Sequence, residues 1–505
     1  MTSLNDLWTL AATEHAGRVA VIHEKRPYTY RELDQLVSAF AGNLRSRLGV
    51  RPGERVALAM QNCLHSIVCY LGAIRAGAVA LPINIRLKAQ EMQFILDDAG
   101  ASVLVVHRGV WDTVRQAVEG LEALRAVVGI DVDGADAIPV DDLLRPCEPC
   151  APHPAGPEDV AAIIYTSGTT GLPKGAMITH GNVLFNVQST IAGHGFVEDD
   201  VHILVVPLFH VTGLNTIMPT AFHRGARLVV TARTAPSEIL ALVQEHRART
   251  FFAVPTTMIL LLQTPGIERF DVSSLRLVAY SGAPMPVRSI RQLRDVFPQA
   301  RLHNFFGLTE TTSVTTVLPD EQALERPESI GTAVPGLELK VVDDAGRPLP
   351  PGEVGELLVK GPGVVKGYYN RPQATAEAIV DGWLHTGDTA FIDEEGFVFL
   401  QGRKKEMIIV GGENVYPVEV ENVLTGHPDV AEVAAIGKPH AVFGEVVKAV
   451  VVLRPGAGAT ERDLKRHCAE RLAGYKVPQV FEFRDALPRN PSGKVVKRLL
   501  TQQEA

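Results

Sequence analysis

The chain has few residues of the kinds that mark specialised environments. Only 5 of its 505 residues are cysteine, too few for a disulfide framework. The 49 basic residues are outnumbered by 57 acidic ones, and the net charge of −8 argues against a nucleic-acid-binding protein. The longest apolar stretch, residues 67–83, is interrupted by Arg75, Gly77 and Pro82. It therefore predicts a buried helix followed by a strand rather than a membrane span.

Two local features were weighed for targeting and redox function. The first residues, 1–8, contain neither a basic segment nor a long apolar one, so no signal peptide is expected and the predicted location is the cytoplasm. Cys147 and Cys150 form an isolated CxxC pair with only His153 nearby. A zinc site needs four ligands, so this proline-rich stretch is interpreted as a connector. A homodimer is compatible with the sequence.

The order of elements predicts an α/β protein of two to four structural units. Between residues 20 and 310, short β-type runs alternate with helical ones, which predicts subdomains with parallel sheets. Alternating strands from residue 335 predict a small β-barrel. A charged break follows at residues 402–406. We expect a large N-terminal domain, residues 1–402, and a small mobile C-terminal α+β domain, residues 403–505.

One loop is rich in groups that bind phosphate. Residues 166–175 read TSGTTGLPKG and follow an apolar run that predicts a buried strand. Glycine lets backbone N–H groups approach an anion, hydroxyls add donors, and lysine adds charge. Pro173 precedes the lysine and the chain beyond looks extended, so this is not the Walker A motif, which opens a helix. The predicted phosphate site comprises Thr166, Ser167, Gly168, Thr169, Thr170, Gly171 and Lys174.

Three further strings have side chains suited to a nucleotide. Residues 304–311 read NFFGLTET, in which the aromatic ring can stack on a purine and the glutamate offers hard oxygens to Mg²⁺. Residues 384–388 read LHTGD, a carboxylate after what looks like a tight Thr-Gly turn, suited to accept hydrogen bonds from ribose hydroxyls. Residues 488–494 read PRNPSGK and lie in a basic C-terminal segment.

In this order, the strings resemble the signature of the adenylate-forming superfamily, which includes acyl- and aryl-CoA synthetases, luciferases and peptide-synthetase adenylation domains. The resemblance covers nearly the whole chain, from residue 165 to 498, and is strongest to fatty-acid or 4-coumarate-type CoA ligases. It implies ATP, Mg²⁺ and coenzyme A. It also implies a reaction in which an acid and ATP give acyl-AMP and pyrophosphate, and CoA then displaces AMP to form a thioester.

The resemblance implies roles for individual residues. Phe306 would stack on adenine, Thr309 would contact the α-phosphate, and Glu310 with Thr166 would hold the metal. Asp388 and Arg403 would bind the ribose. The other implied nucleotide contacts are Ser281, Gly282, Ala283, Asn304, Phe305 and Gly307.

Lys494 would be the catalytic lysine. As the carboxylate attacks the α-phosphorus, negative charge spreads over the transferring oxygens, and a fixed cation stabilises it. Because Lys494 lies in the small domain, that domain would have to close for the first step and reopen for the second, with a hinge near Lys405. Gly411 and Gly412 would then let the thiol arm of CoA pass.

The resemblance places His210 beside the acyl pocket, near the α-phosphate and carboxylate, as a gating residue. Amino-acid-activating relatives have aspartate where Val211 stands, and an unpaired buried ammonium is unfavourable, so an amino-acid substrate is not expected. The candidate pocket segments contain no arginine or lysine to pair with a second carboxylate. We expect a fatty or aromatic monocarboxylic acid in a pocket lined by His210, Val211, Leu214, Val254, Met258, Ile259, Gly282, Gly307 and Leu308.

Three alternatives remain at this stage. A stand-alone adenylation enzyme that loads an acyl carrier protein would share the first half-reaction. A luciferase-like oxygenase would oxidise the adenylate. A non-enzymatic nucleotide-binding regulator would have no use for the strings that contain Glu310 and Lys494.

Overall fold

The computed structural model describes residues 1–132, 136–148, 150–166, 173–410, 413–440, 443–490 and 493–501. The strands are, in chain order, β1 (Val19–His23), β2 (Arg26–Thr29), β3 (Arg55–Ala59), β4 (Val79–Pro82), β5 (Ala101–His107), β6 (Ala126–Ile130), β7 (Ile138–Pro139), β8 (Val160–Thr166), β9 (Lys174–Thr179), β10 (Val201–Leu204), β11 (Arg227–Val230), β12 (Thr250–Ala253), β13 (Leu277–Ser281), β14 (Arg301–Phe306), β15 (Thr316–Leu318), β16 (Thr332–Ala333), β17 (Glu338–Val342), β18 (Gly355–Lys360), β19 (Ile379–Val380), β20 (Trp383–Ile392), β21 (Val398–Arg403), β22 (Ile408–Val410), β23 (Glu413–Val415), β24 (Val430–His440), β25 (Gly444–Leu453) and β26 (Val480–Phe483). The α-helices are α1 (Leu4–Glu14), α2 (Tyr30–Ser46), α3 (Leu64–Arg75), α4 (Ala89–Asp98), α5 (Trp111–Ala117), α6 (Val140–Leu144), α7 (His180–His194), α8 (Met218–His223), α9 (Pro236–His246), α10 (Pro255–Leu262), α11 (Val287–Val296), α12 (Asp320–Ala323), α13 (Pro372–Ala378), α14 (Pro417–Thr425), α15 (Glu461–Ala469) and α16 (Arg498–Thr501).

Local signals fix several of these boundaries. The Thr29 side chain accepts from the N–H of Glu32 and the Glu32 side chain caps in return, so α2 begins at a capping box. Thr179 caps α7 in the same way, and α7 ends at Gly195, whose φ of 68° is a left-handed value that glycine adopts readily.

Two mostly parallel sheets form the larger part of the fold, as the strand–helix alternation predicts. One sheet has seven strands in the order β7-β6-β5-β3-β4-β8-β9, and only β9 is antiparallel to its neighbour. The other has nine strands in the order β16-β15-β14-β13-β12-β10-β11-β1-β2, with a parallel centre from β1 to β14. One buried cluster joins residues of both sheets with helices α1, α2, α3, α7 and α8, so this helical layer lies between the sheets. Helices α9, α10 and α11 cover the outer face of the nine-stranded sheet.

The small β unit expected after residue 335 is an antiparallel sheet of five strands. Its order is β17-β18-β20-β19, and β21 also pairs with β20. In the described part of the chain no ladder joins β17 to β21, so hydrogen bonds do not close the sheet into the expected barrel. The ten-residue strand β20 pairs with three strands and has register shifts on both sides.

A separate C-terminal domain follows a short 3₁₀ turn at Lys404–Glu406. Its sheet has the order β23-β22-β25-β24, and β26 pairs with β25. Helices α14 and α15 pack on this sheet around a core made only of residues after Met407. The expected α+β unit is therefore present as a domain with its own core. The boundary at 402/403 and the hinge remain predictions, and the side chain of Lys405 is not among the described ones.

Several predicted site residues lie at one edge of the nine-stranded sheet. β12, β13 and β14 are parallel neighbours, and they lead directly into Val254, Gly282 and Gly307. Ligands of open α/β sheets bind at the carboxyl ends of such strands, so this edge is where a site is expected.

Candidate active site

The ends of the predicted phosphate loop are held by the two strands that flank it. Thr166 is the last residue of β8, Lys174 is the first of β9, and the two are antiparallel partners. The loop between them, which contains Ser167, Gly168, Thr169, Thr170 and Gly171, lies outside the described residues. Thr166 and Lys174 are therefore the described part of this predicted site.

Glu310 is the centre of a polar cluster next to these loop ends. Its Oε1 accepts from the hydroxyl of Thr166 at 3.4 Å and from the phenol of Tyr368 at 2.9 Å. The Lys174 ammonium lies 5.2 Å from the centre of the Tyr368 ring. Burial and the neighbouring Glu310 carboxylate raise the pKa of Tyr368, so its hydroxyl keeps the proton that it donates. The structure thus brings the two predicted metal ligands, Thr166 and Glu310, within hydrogen-bond range.

Tyr368 is a site residue that sequence analysis did not find. It lies in the segment 366–369, which pairs with β9: Met177 N–H donates to Gly367 O at 2.9 Å, and Tyr369 N–H donates to Gly175 O at 2.7 Å. No local motif surrounds it, and its place follows only from this pairing between distant parts of the chain. A strand-like Gly-Tyr-Tyr following β18 is the sole signal that could have drawn attention to it.

The NFFGLTET segment and the residues after it have a tightly packed and unusual backbone conformation at the end of β14. A Cβ on Gly307 would lie 1.1 Å from the carbonyl oxygen of Ser313, so only glycine fits there. Thr312 and Ser313 have φ values of 57° and 93°, unusual for residues other than glycine. The Thr312 hydroxyl donates to Gly363 O at 2.9 Å, which helps to hold this turn. The turn fixes the direction of the half-buried Thr309 and Glu310.

The two adjacent phenylalanines have different surroundings. Phe306 is half-buried at the end of β14, as a residue that would meet adenine must be. Phe305 is 3% exposed, and its ring centre lies 5.7 Å from that of Phe252 and 5.2 Å from that of His194. Successive side chains of a strand point to opposite faces. Including Phe305 among the nucleotide contacts is therefore not supported, because it is a core residue. The Asn304 side chain also makes a structural hydrogen bond, since its amide donates to Ser329 O at 3.0 Å.

Asp388 and Arg403 form an ion pair across neighbouring strands. They are register partners in β20 and β21, and Arg403 Nε lies 2.7 Å from Asp388 Oδ1. Arg403 Nη1 also donates to Thr386 O at 2.9 Å. The tight Thr-Gly turn expected before Asp388 was wrong: Gly387, with φ 71°, lies within β20, at the register shift of its ladder with β18. An irregularity inside a strand can redirect a side chain much as a turn does.

The second oxygen of Asp388 is buried and unpaired. Asp388 is 6% exposed, and among the described residues no group donates to its Oδ2. Burial raises the pKa of this carboxyl to about 6, although Arg403 and Lys494 act to lower it. Buried polar atoms nearly always have a partner, so Oδ2 fits a hydroxyl donor of a bound ligand, as the ribose interpretation requires.

Lys494 reaches this cleft from the C-terminal domain. Arg489 and Val495 form an antiparallel bridge, and Lys494 N–H donates to Asn490 Oδ1 at 2.9 Å, so Lys494 lies in a short hairpin. Residue 494 keeps solvent-accessible surface, yet the protein around its ammonium lowers its pKa. The Arg403 guanidinium acts in the same direction, and Asp388 and Glu310 oppose it. The hairpin thus delivers a cation to the residues predicted to bind ribose and metal.

His210 faces the same region as Lys494. Burial, with a smaller effect of Lys494, lowers the pKa of His210 to about 4, so its ring is neutral at pH 7. Its Nδ1 accepts from the N–H of Thr212 at 3.4 Å. His210 immediately precedes Val211 and a π-helical turn, Thr212–Ile217. A Cβ on Gly213 in this turn would lie 2.5 Å from Pro207 O, so the turn is closely packed.

The predicted acyl-pocket residues are not all equally accessible. Val254 is 46% exposed, whereas Val211 is 3% exposed. Met258 is fully buried in the helix-covered core with Tyr280 and Met285. Gly282, Ala283 and Pro284 are exposed at the end of β13. Gly411 and Gly412, the predicted CoA-passage residues, lie outside the described part of the chain.

The chain belongs to the AMP-binding enzyme family, the adenylate-forming superfamily indicated by its motifs. The family model described as "AMP-binding enzyme" matches residues 8–369, and the model "AMP-binding enzyme C-terminal domain" matches residues 419–494. The protein is an AMP-forming acyl-CoA synthetase that uses ATP, Mg²⁺ and coenzyme A.

Relatives and solved structures agree over almost the full length. A feruloyl-CoA synthase of Amycolatopsis sp is 38% identical, with 95% of this chain and 94% of that protein covered. A long-chain-fatty-acid–CoA ligase of Escherichia coli O6:H1 is 36% identical, covering 99% and 94%. A fatty acid–[acyl-carrier-protein] ligase, ScoC, of Streptomyces coeruleorubidus is 35% identical, covering 95% and 92%. The crystal structure of the anthranilate CoA ligase AuaEII with anthranoyl-AMP is 29% identical, with a TM-score of 0.92 and 99% and 96% coverage.

Within the described ranges, every helix is too short or too polar to cross a bilayer.

Proposed function

We propose that this enzyme activates an apolar monocarboxylic acid, fatty or aromatic, and that the residues described above carry out its first half-reaction. The observation that carries the proposal is that Asp388, Arg403 and Glu310 all act on the pKa of Lys494, which puts its ammonium within electrostatic range of their cleft. A cation from one domain among the nucleotide-binding groups of another is what adenylate formation needs.

Each residue of the cleft has a distinct task. Arg403 holds one oxygen of Asp388, so that the other is free to accept from the ribose hydroxyls. Glu310 and Thr166 would hold Mg²⁺, which neutralises phosphate charge when it is bound. Thr309 offers its hydroxyl to the α-phosphate, Phe306 stacks on adenine, and Lys494 stabilises the charge that develops as the acid attacks phosphorus.

The neutral His210 suits a gating role. Its depressed pKa means that it brings no positive charge to the substrate carboxylate and does not anchor it in the ground state. It can donate one hydrogen bond and move with the turn that contains it. The carboxylate then remains free to attack the α-phosphorus.

The second half-reaction requires the small domain to move. Lys494 occupies the cleft in the described arrangement, and CoA would need the domain to rotate about a hinge near Lys405. Gly411 and Gly412 would then line the passage for the thiol arm. A bulkier residue at Gly412 is expected to block thioester formation and to spare adenylation.

The expected substrate follows from the lining of the pocket. Val211, Leu214, Val254 and Leu308 offer apolar contacts, and the candidate segments lack arginine and lysine. The named relatives support this class, because their names include feruloyl-CoA synthase and long-chain-fatty-acid–CoA ligase. The cytoplasmic location and a homodimer stay predictions from the sequence.

A panel of acids tests the proposal. Purified protein, MgATP and each of a series of fatty acids, benzoates and cinnamates are assayed for pyrophosphate, first without and then with CoA. We expect pyrophosphate with apolar monoacids, and thioester and AMP only with CoA. If amino acids or dicarboxylates are the preferred substrates, the proposed acid class is wrong. If pyrophosphate is not released with any acid, both the proposed acid class and the proposed residue roles are wrong.

A second candidate acceptor is an acyl carrier protein, and the similarity to ScoC favours it. The same assay with a phosphopantetheinylated carrier in place of CoA separates the two. Acyl transfer to the carrier and not to CoA would select this alternative.

A further inference from the structure

A second cavity lies at the opposite end of β8 from the active site. Its volume is about 450 Å³, within the range of small-molecule sites. It is bordered by the first residues of β3, β4 and β8, whereas Thr166 ends β8 beside Glu310. β8 has seven residues, so Val160 at the cavity and Thr166 at the active site are about 20 Å apart at a strand rise of about 3.3 Å per residue. We call it the rear cavity.

Two cations face the rear cavity without a carboxylate partner among the described residues. Arg55 donates to the carbonyl oxygens of Gly53, Ala99 and Gly100. These three bonds leave two of the five N–H donors of its guanidinium unused. Lys366 donates to the carbonyl oxygen of Glu158 at 3.2 Å and so has two further donors. Both cations line the cavity and can still bind an anion.

Other polar groups limit the charge that fits. Asp159 also lines the cavity, so the local balance is one excess positive charge. His180 adds a neutral donor: burial lowers its pKa to about 4, and its Nδ1 accepts from Leu4 N–H at 3.2 Å, which leaves the proton on Nε2. The rest of the wall is largely apolar, with Val79, Val160 and Met177.

We propose that the rear cavity binds a small amphipathic monoanion, a single carboxylate or comparable head group on a compact apolar body, and that its occupancy regulates the metal site. Arg55, Lys366 and His180 would hold the head group. The ring of Tyr369, whose centre lies 5.9 Å from the Arg55 guanidinium, would pack against the apolar body together with the aliphatic wall. A dianion would meet Asp159 and leave one charge unpaired.

A short backbone segment connects the two sites. Lys366 and Tyr369 line the rear cavity, while Tyr368 between them donates to Glu310. The segment 366–369 is held to β9 by backbone hydrogen bonds, with Lys366 N–H to Met177 O at 3.1 Å and Tyr369 N–H to Gly175 O at 2.7 Å. A ligand that fixes Lys366 and Tyr369 would therefore fix the Tyr368 hydroxyl that orients Glu310. Coupling of this kind is reciprocal in binding free energy. This regulatory part, unlike the binding part, rests on the metal role proposed for Glu310.

Fluorescence of 8-anilinonaphthalene-1-sulfonate, an aromatic monoanion, tests the binding on the full chain. Ala155→Trp should fill the cavity and abolish one saturable phase of the titration, because Ala155 lines the cavity from the connector before β8. Lys366→Gln should weaken that phase about fivefold by removing one charge. N-phenyl-1-naphthylamine, which has the same rings without the sulfonate, should not show it.

Matched controls separate the cavity from general effects. Ala151→Trp lies exposed in the same connector and Lys465→Gln lies exposed on α15, and both should leave the titration unchanged. Fluorescence from probe bound in the acyl pocket would persist in the Ala155→Trp variant. If Ala155→Trp and Lys366→Gln both titrate like the unsubstituted protein, the rear cavity is not an anion site and the proposal is overturned.

The coupling between the rear cavity and the metal site is measured with the same probe, 8-anilinonaphthalene-1-sulfonate. Adding Mg²⁺ with α,β-methylene-ATP should change the affinity of the Ala155-dependent phase about threefold or more in the unsubstituted protein, and this change should vanish in Tyr368→Phe. If the probe affinity in the Ala155-dependent phase does not change when Mg²⁺ and the nucleotide are added, the regulatory part of the proposal is overturned. Pyrophosphate release with an acid remains a separate test of the proposed function, so the two failures cannot be confused.

Discussion

Two buried aspartates of this protein pair with arginine, and they differ in what they leave unpaired. The Asp200 side chain is fully buried, and both of its oxygens are used: Oδ1 by Arg276 Nε at 2.7 Å, and Oδ2 by Arg276 Nη2 and by Val197 N–H at 2.9 Å. The Asp388 carboxylate is also almost wholly buried, but only Oδ1 is paired, with Arg403 at 2.7 Å, and Oδ2 has no partner in the described part of the chain.

An ion pair in which both carboxylate oxygens have partners serves structure, whereas one with a free oxygen can still accept from a ligand. Asp200 connects β10, β13 and the end of α7 into one closed network, so a ligand has nothing to add. At Asp388 the network is incomplete, and the cation that completes the site, Lys494, comes from a different domain. The unsatisfied oxygen, rather than burial or charge alone, is the observation that supports the proposed ribose-binding role of Asp388.

The largest expected effect is on the cation near Asp388. Lys494→Ala should lower the rate of pyrophosphate release by about 10³-fold, the scale for removal of a preorganised transition-state group. Conversion of supplied acyl-AMP and CoA to thioester should be nearly unchanged, because that step does not need this cation. Single-turnover assays of each half-reaction measure both. Equal losses in the two steps would contradict the division of labour.

Exchanging the two aspartates for asparagine should have opposite consequences. Asp200→Asn should lower the free energy of unfolding by about 1.5–3 kcal/mol, since the half-buried Arg276 loses a charged hydrogen-bond partner, with little change in the KM for ATP. Asp388→Asn should not lower thermal stability and should lower kcat/KM for ATP by about 10–100-fold, through weaker acceptance from ribose. Thermal melts and ATP kinetics of the two variants provide the comparison. A large loss of stability in Asp388→Asn would remove the distinction drawn here.

The pH dependence of stability sharpens the same comparison. The folded pKa of Asp388, about 6, lies above its ordinary value of 3.8, so folding favours the protonated acid. Its contribution to the free energy of unfolding is therefore full below about pH 4 and is lost as the pH rises to about 6. Asparagine does not titrate, so Asp388→Asn should gain stability relative to the unsubstituted protein across this window. Urea unfolding at pH 4.5 and 7 measures the difference. A constant difference would show that Asp388 titrates normally.

The smallest effect is expected at Glu310. Tyr368→Phe removes one hydrogen bond to Oε1 and should raise the Mg²⁺ concentration for half-maximal pyrophosphate release about 3–10-fold, because a mispositioned ligand binds the metal less well. A magnesium titration at saturating ATP gives the value. Tyr369→Phe is the adjacent control, because Tyr369 faces the rear cavity and should leave this requirement unchanged when no anion is added.

The sequence was most informative where a motif is local. The alternation of short β-type and helical runs between residues 20 and 310 predicted the two mostly parallel sheets, because hydrophobic period acts over a few residues, whereas the Asp388–Arg403 pair was implied by the family resemblance. The FF pair by itself gives no sign of which ring is buried, and the structure shows that the ring of Phe305 is. Because successive side chains of a strand point to opposite faces, Phe305 and Phe306 are expected to face different sides of the sheet.

Other features could not be read from the chain. Tyr368 meets Glu310 across 58 positions, and Arg276 meets Asp200 across 76, so only the folded sheet order brings them together. The expected Thr-Gly turn before Asp388 proved to lie within a strand, because three strands compete for pairing with β20. Tertiary pairing decided these cases over local preference.

The position of the Lys494 hairpin also bears on how fast substrate arrives. Lys494, Arg403 and Lys174 bring three positive charges to the cleft against the two carboxylates of Asp388 and Glu310, which leaves a local excess of positive charge on a chain whose net charge is −8. A polyphosphate diffusing nearby is drawn to that opening, while the acidic remainder of the surface repels it. Capture of ATP is thereby tied to ionic strength, and the small domain helps to recruit the nucleotide before it takes any part in the chemistry.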